Sequence, residues 1–384
     1  MKNVLLTGID GYIGWPTALR LSKEFPQVRI IGVDNLGRRK WVEESGSVSA
    51  IPIATMTERL DAARRLGFTN LSFLRGDLTD REFVLQLFAV YRFDAVLHIA
   101  CQPSAPYSQI SGAQANFTQF NNNQSTRNLL WAIKETGLEK KCHFIMTTTT
   151  GVYGAPEFEI PEGFVMAENK GRRDLVPFPG MAGSWYHMSK CNDVNNLWIA
   201  NRQWGLSISD LRTSIVYGTD TKETEREPAL ATRFDFDFYF GVVINRFCAM
   251  VLTGHPITIY GKGEQRKPQI SLEDCVQSNV NALRLPLTGE FKVYNQTTEI
   301  ISIVDIAQAI VAAARELGLA AELTHIENPR VEKEEHQMLM DTTNFSQLLP
   351  NPVYTVASGA RQMLKALLPY REILVQYRDR FLSV

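Results

Sequence analysis

The sequence predicts a doubly wound α/β fold followed by a smaller, mixed α/β lobe at its C-terminal end. Two observations lead to this prediction. Short, nearly continuous apolar runs such as "NVLLTG" and "AVLHIA" alternate with helical patterns through the first half of the chain, which is typical of a parallel sheet buried on both faces. Beyond residue 217 a charged stretch, "TDTKETEREP", interrupts this alternation, and mixed helical and extended segments follow.

The elements of the first lobe follow in regular order. Strands are predicted at "NVLLTG", "VRIIGVDN", "LSFLRGDL", "AVLHIA", "CHFIMTTTT" and "LSISDLRTSIVYG", with helices between them. We assign residues 1–217 to this lobe and expect segments around 267–285 to return to it. Residues 218–384 mainly form the second lobe, with helices at "VINRFCAMVLTG" and "VDIAQAIVAAAREL" and strands at "ITIYGKG" and "KVYNQ".

Composition argues against several classes of protein. The 384 residues are 45% hydrophobic and 21% charged, as in an ordinary globular protein, and the net charge of -1 comes without a basic block that would bind nucleic acid. Neither a signal peptide nor a membrane-spanning apolar run is recognisable. The five cysteines lack the spacing of a metal site or a disulfide framework, so we expect no metal and a cytoplasmic location. They are Cys101, Cys142, Cys191, Cys248 and Cys275.

A glycine-rich loop connects the first strand to the first helix. Gly8, Gly11 and Gly14 form the pattern G-x-x-G-x-x-G in "VLLTGIDGYIGW". Glycines at such a turn let the backbone approach a pyrophosphate, and the N-terminus of the following helix offers free N–H groups to it. The loop predicts a Rossmann-type dinucleotide site.

An acidic residue ends the second strand. Asp34 in "IIGVDN" stands at the distance from the glycines at which such folds contact the adenosine ribose. A carboxylate there accepts hydrogen bonds from both ribose hydroxyls and repels a 2′-phosphate, which favours NAD over NADP. Arg38 and Arg39 could accommodate the extra phosphate, and Asp34 could instead cap a turn with Asn35.

A tyrosine and a lysine share one helical face in "WYHMSK". The phenol of Tyr186 has an ordinary pKa near ~10, but an adjacent ammonium and a nicotinamide cation both favour the phenolate. Lys190 supplies the first charge and NAD⁺ the second. Tyr186 could then take a proton from a sugar hydroxyl while hydride leaves the same carbon. The threonines of "MTTTTGVYG" offer a hydroxyl to hold the reacting oxygen.

Together these motifs resemble the extended short-chain dehydrogenase/reductase family, which includes nucleotide-sugar epimerases and dehydratases. The resemblance covers nearly the whole chain and implies a UDP- or GDP-linked sugar as substrate and a homodimer formed through the helices of "TRNLL" and Tyr186. It places the catalytic hydroxyl on Thr149 and makes Asn122 a structural bridge. The predicted cofactor contacts are Gly8, Gly11, Tyr12, Ile13, Gly14, Asp34, Asn35, Arg38, Asp77, Leu78, Ala100, Tyr186 and Lys190.

Several segments also resemble the UDP-sulfoquinovose synthase branch of the family, among them "DGYIGWPTALRLSK", "QPSAPYS", "YHMSK" and "GHPITIYGKG". The chain departs from that pattern where the branch carries a glutamate, here Val152, and an arginine, here Pro103. Lys267 and Gln269 also differ from the arginine and the aromatic residue of that pattern. Elimination across C5 and C6 needs a second acid/base group, and sulfite addition needs a positive site.

The sequence therefore predicts an NAD-dependent nucleotide-sugar 4-epimerase, because Thr149, Tyr186 and Lys190 suffice for oxidation at C4 and reduction from the other face. The alternative is sulfoquinovose synthesis or another modification at C5 and C6. A non-catalytic NAD-binding regulator is a third interpretation, against which the retained trio argues.

The substrate contacts follow mainly from the resemblance. Arg330 matches an arginine that binds the pyrophosphate, although a surface ion pair with a nearby glutamate is its alternative. Asn245 and Arg246 bind phosphate or cap the helix that they open, and Gln102 faces the sugar region or solvent. His187 is expected to point about 100° away from Tyr186. The full set is Gln102, Thr149, Asn245, Arg246, Lys267 and Arg330.

Overall fold

The computed structural model describes residues 1–178, 180–328 and 336–382. The strands are β1 (Asn3–Thr7), β2 (Arg29–Asp34), β3 (Leu71–Arg75), β4 (Ala95–His98), β5 (His143–Thr147), β6 (Phe164–Asn169), β7 (Arg172–Pro177), β8 (Ser207–Thr213), β9 (Ile215–Tyr217), β10 (Ile257–Tyr260), β11 (Arg266–Ser271), β12 (Phe291–Gln296), β13 (Glu299–Ser302) and β14 (Leu323–Ile326). The helices are α1 (Gly14–Glu24), α2 (Gly37–Glu44), α3 (Met56–Arg65), α4 (Arg81–Tyr91), α5 (Gly112–Glu135), α6 (Trp185–Trp204), α7 (Val243–Thr253), α8 (Leu272–Ala282), α9 (Ile303–Glu316), α10 (Thr343–Leu348), α11 (Val356–Leu367) and α12 (Arg371–Gln376).

A seven-stranded parallel sheet forms the first lobe, in the order β12-β8-β5-β4-β1-β2-β3. Successive side chains of β1 point to opposite faces: Leu6 packs in the core that contains Trp15 of α1, and Leu5 packs in the core that contains Phe88 of α4 and Leu129 of α5. Both faces of the strand are therefore buried, which explains its unbroken apolar run. The predicted doubly wound fold is confirmed.

The second lobe has its own core and small sheets. β10 pairs with β14, and β11 lies between β9 and β13. Helices α7, α9 and α11 pack around Phe247, Ile306 and Met363. The "KVYNQ" segment was assigned wrongly to this lobe: as β12 it pairs in parallel with β8 at the edge of the large sheet. Within the segment 267–285 that was expected to return to the first lobe, α8 does pack in the core that contains Trp15 of α1. The strand that joins the large sheet begins later, at Phe291.

The carboxyl ends of the parallel strands meet at one edge of the sheet. β1 ends at Thr7, β2 at Asp34, β4 at His98 and β5 at Thr147. Ligands of open α/β sheets bind in the crevice outside this edge. Within the described residues, no helix is both long and apolar enough to cross a membrane, and no cluster of His, Cys, Asp and Glu is arranged to hold a metal ion.

Candidate active site

A cavity of about 1330 Å³ opens at this edge of the sheet. Its wall combines the glycine loop, the ends of β2, β4 and β5, the start of α6 and the first turn of α7. Typical pockets for a single small ligand measure roughly 300–1,000 Å³. The volume is therefore sufficient for a dinucleotide together with a second ligand.

The glycine loop forms a cradle at one end of the cavity. Gly8 has φ +76°, and a Cβ on it would lie 2.9 Å from the backbone of Ala100, while a Cβ on Gly14 would lie 1.9 Å from the Gly8 carbonyl oxygen. A larger residue at Gly8 would push the loop away from the segment after β4, and one at Gly14 would push the start of α1 away from Gly8. The loop thus brings its backbone and the N-terminus of α1 to the cavity wall, as a pyrophosphate site requires.

Asp34 lies in the wall beside this loop. Its Oδ2 accepts from the backbone N–H of Asp10 at 2.9 Å and its Oδ1 accepts from that of Leu36 at 2.7 Å. The carboxylate therefore fixes the turn after β2, as the alternative interpretation had it, and also lines the cavity. Burial, with Asp10 nearby, raises the pKa of Asp34 to about 6, so the group is ionised at neutral pH.

The two arginines that follow Asp34 are bound to other carboxylates. Arg39 makes a bidentate pair with Asp10, at 2.7 and 2.8 Å. Arg38 donates to Asp235 at 2.7 Å, and its guanidinium lies 3.9 Å from the centre of the Phe240 ring. Arg39 is thereby held off the cavity wall, whereas Arg38 lines the cavity, as predicted for a cofactor contact.

Replacing Asp34 with alanine should weaken NAD binding about tenfold or more, because hydrogen bonds to a charged group contribute about 1.5–3 kcal/mol. NADP binding should change less, because the 2′-phosphate loses a repulsive neighbour. Titration of the cofactor-stripped protein with each dinucleotide measures both affinities. Asp34→Asn, which keeps an acceptor for the Leu36 N–H, controls for the turn, and equal losses for NAD and NADP would contradict the ribose contact.

Tyr186 and Thr149 meet in the wall beyond the dinucleotide cradle. Thr149 follows β5, and its Oγ1 accepts a hydrogen bond from the Gly151 N–H at 3.1 Å. Tyr186 lies in the first turn of α6, which Ser184 caps. Burial, with Cys101 and Asp193 nearby, raises the pKa of Tyr186 well above its usual value, while a hydrogen bond with Thr149 acts in the opposite direction. The phenol is therefore protonated in the protein alone, contrary to the predicted effect of Lys190.

Lys190 is placed differently from the prediction. Its ammonium is buried, 3.4 Å from the Thr147 carbonyl oxygen and 3.8 Å from Asp193 Oδ2. Among the described residues it is the one predicted cofactor contact that does not line the cavity. The neighbouring carboxylate offsets the charge that was expected to favour the Tyr186 phenolate.

His187 lies in the cavity wall, although its predicted turn of about 100° from Tyr186 had favoured a histidine without a role in the site. Its ring centre lies 5.2 Å from that of Tyr186, and its Nδ1 is 3.1 Å from Ser184 Oγ. A Cβ on Gly151 would lie only 2.3 Å from the imidazole, so the glycine creates the space for the ring. Burial, with the charge of Lys267, lowers the pKa of His187 to about 4.

Not all of the predicted substrate residues line the cavity. Asn245, Arg246 and Lys267 line the cavity together with Thr149. Gln102 does not: it is fully buried, its backbone N–H donates to Asn122 at 2.7 Å and its Oε1 accepts from the Ser104 N–H. This placement leaves Gln102 without access to a substrate and gives Asn122 its predicted structural role. Arg330 lies outside the described residues.

The two departures from the synthase pattern differ in position. Pro103 lines the cavity. Val152 is fully buried in an apolar cluster with Tyr153, Ile160, Cys191, Met338 and Met340. A glutamate introduced at position 152 would enter this cluster rather than the cavity of this chain.

A dinucleotide cradle next to a tyrosine and a threonine in one cavity defines a dinucleotide-dependent enzyme of the dehydrogenase type. The chain belongs to the NAD dependent epimerase/dehydratase family, whose profile matches residues 4–297. It is similar to the UDP-sulfoquinovose synthase of Sulfolobus acidocaldarius, with 40% identity over 98% of this chain and 95% of the relative. The chloroplastic UDP-sulfoquinovose synthase of Spinacia oleracea is also 40% identical, over 99% of this chain and 77% of the relative.

Solved structures share the fold at lower identity. The UDP-glucose 4-epimerase of Thermotoga maritima, with UDP-glucose, has a TM-score of 0.69 at 21% identity and covers 94% of this chain and 97% of its own. The UDP-glucuronic acid 4-epimerase of Bacillus cereus, in complex with UDP-glucuronic acid and NAD, has a TM-score of 0.69 at 22% identity over 95% and 98%. The family establishes NAD as the cofactor, and these structures show that the chain has the fold of this enzyme class.

Proposed function

We propose that this enzyme oxidises C4 of a UDP-linked hexose and then transfers protons at C5 and C6 of the 4-keto sugar, as in the synthesis of UDP-sulfoquinovose. The observation that carries this proposal is His187, a second proton-transfer group beside Tyr186 in the cavity wall. The sequence had favoured a 4-epimerase because no such group was expected. The 40% identity to two UDP-sulfoquinovose synthases supports ranking the synthase-type reaction above 4-epimerisation.

In the first step Thr149 holds the C4 hydroxyl and the Tyr186 oxygen takes its proton. Bound NAD⁺ accepts the hydride from C4. The buried phenol needs positive charge to ionise, so a nicotinamide cation next to it lowers its pKa. Proton abstraction is thereby tied to an oxidised cofactor.

In the second step His187 acts on the 4-keto sugar. The low pKa of its imidazole keeps the ring neutral at physiological pH, and a neutral ring nitrogen can take the C5 proton, which the 4-keto group acidifies. A double bond then forms between C5 and C6, and the imidazolium returns the proton to the departing C6 hydroxyl, which leaves as water. Sulfite adds to C6 and a proton from solvent returns to C5. The hydride is then returned from the reduced cofactor to C4 while Tyr186 gives a proton to the C4 oxygen, so that the hydroxyl and the oxidised cofactor are both regenerated. Lys267 lies close enough for its charge to lower the pKa of His187, and it supplies positive charge where the sulfite dianion would add.

A 4-epimerase is the second candidate. The buried, apolar Val152 favours it, because the glutamate of the synthase pattern is missing and no carboxylate replaces it at that position. Epimerisation needs Tyr186 and Thr149 alone, with rotation of the 4-keto sugar between the two hydride transfers.

The test is to incubate the NAD-loaded protein with UDP-, GDP- and dTDP-hexoses in deuterated water, with and without sulfite, and to follow products by proton NMR. Deuterium at C5, or a new C6 signal that depends on sulfite, would support the proposal. Inverted coupling at H4 without deuterium at C5 would instead identify a 4-epimerase. No change in any sugar, with NAD bound, would favour a non-catalytic regulator.

We also propose that the chain forms a homodimer through α5 and α6. Both helices expose large apolar side chains, which water disfavours on a free surface; they are Phe120, Trp131, Trp185, Met188 and Ile199. Sedimentation velocity should give a dimeric mass, and Trp131→Glu should lower it by burying a charge in the interface. A monomeric mass for the unmodified protein would contradict the proposal.

A further inference from the structure

A buried carboxylate lies behind Tyr186, one turn beyond Lys190 on α6. Asp193 is completely inaccessible to solvent, and its Oδ2 lies 3.8 Å from the Lys190 ammonium. Ions are costly to bury unless they are paired and hydrogen-bonded. The position of Asp193 therefore requires a compensating partner, and Lys190 provides it.

The carboxylate is held from the neighbouring helix. Asn123 of α5 donates through its Nδ2 to Asp193 Oδ1 at 2.8 Å and to the Ser189 carbonyl oxygen at 2.7 Å. A hydrogen bond with the Thr126 side chain also lowers the pKa of Asp193. Asn123 thus fixes the orientation of the carboxylate so that its Oδ2 faces the lysine.

We propose that Asp193, oriented by Asn123, is a positioning residue that offsets the charge of Lys190 and thereby sets how readily Tyr186 ionises. This proposal rests on Tyr186 being the base of the proposed function. With Asp193 ionised, the lysine and the carboxylate largely cancel at the phenol, and the cofactor cation becomes the decisive charge. Ionisation of Tyr186 is then confined to the state in which NAD⁺ is bound.

Other ionisable groups also face this pair. From β4, His98 lies near Lys190, but burial lowers its pKa to about 3, so it stays neutral across the working range. From α5, the positive charge of Arg127 lowers the pKa of Asp193, as the charge of Lys190 does. From the loop after β4, Cys101 faces Tyr186 and makes its ionisation harder.

The test is a spectrophotometric titration of the Tyr186 phenol in the NAD-loaded protein, with the Tyr186→Phe protein subtracted. Asp193→Asn should move this ionisation to lower pH by about one unit, since a like charge near the phenol is removed. The pH profile of turnover should move in the same direction. An unchanged ionisation, or a shift to higher pH, would overturn the proposal. Because the titration needs no sugar, it decides the role of Asp193 even if the proposed substrate is wrong.

Three further variants test this result. Asp193→Ser also removes the carboxylate charge, through a smaller side chain, and should likewise move the ionisation of Tyr186 to lower pH. It decides the question if Asp193→Asn does not fold. Glu135→Gln removes a solvent-accessible carboxylate of α5 that is paired with Arg81 at 2.9 Å, and should leave the titration unchanged. Repeating the Asp193→Asn comparison in a Cys101→Ser background shows whether the shift in Tyr186 ionisation persists without the Cys101 thiol.

Discussion

Replacing Tyr186 with phenylalanine is expected to lower turnover about 10³-fold while NAD stays bound, since general acid–base groups contribute roughly 10²–10⁴ to the rate. The phenol lines the cavity and makes a hydrogen bond with Thr149. Its loss removes the acceptor for the C4 hydroxyl proton and leaves the dinucleotide cradle untouched. Turnover is measured by proton NMR, and NAD content by absorbance of the released cofactor.

Tyr239→Phe is the matched control for this variant. Tyr239 also lines the cavity, but it lies on the loop before α7 rather than on α6. Its phenylalanine variant should keep turnover within a few-fold of the unmodified protein. If Tyr186→Phe retained near-normal turnover, or if both variants lost the same amount, Tyr186 would have no place in the mechanism.

Local sequence patterns were sufficient to place most of the dinucleotide site. A strand followed by spaced glycines puts Gly8 and Gly14 at the start of α1, and a strand that ends in an acid puts Asp34 beside them. Because all parallel strands end at one edge, Thr149 and Tyr186 could also be expected there. These inferences need no more than the ends of elements and the period of a helix.

The positions that sequence reasoning missed depend on contacts between distant segments. His187 faces the cavity because Gly151, in the turn after β5, leaves room for its ring. The Lys190 ammonium does not reach the cavity wall because it pairs with the buried Asp193, which Asn123 holds in place. Helical spacing alone could not predict either result, although an aspartate one turn after the lysine was visible in the sequence. The strand "KVYNQ" was recognised, but its pairing with β8 could not be.

Replacing His187 with glutamine is expected to separate the two chemical steps. The C4 oxidation should continue within a few-fold, because Tyr186 and Thr149 remain, whereas deuterium exchange at C5 should fall about 10²-fold or more with the loss of the proton-transfer group. Proton NMR in deuterated water follows both steps on the same sample. Ser184→Ala, which removes the hydroxyl 3.1 Å from His187 Nδ1, should give an intermediate loss because the ring is less well oriented.

The pH dependence distinguishes this role from a structural one. Since the pKa of His187 is about 4, the neutral base is fully present above pH ~5.5, about 1.5 units higher, and is lost only as pH falls toward its pKa. In the unmodified protein the exchange should therefore follow the ionisation of Tyr186 between neutral and alkaline pH, with no separate histidine step near the usual value of about 6.5. His325→Gln, at an exposed histidine outside the cavity, should change neither step. Equal losses of C4 oxidation and C5 exchange in His187→Gln would show that the imidazole only supports the cavity wall, and the 4-epimerase would then become the favoured reaction.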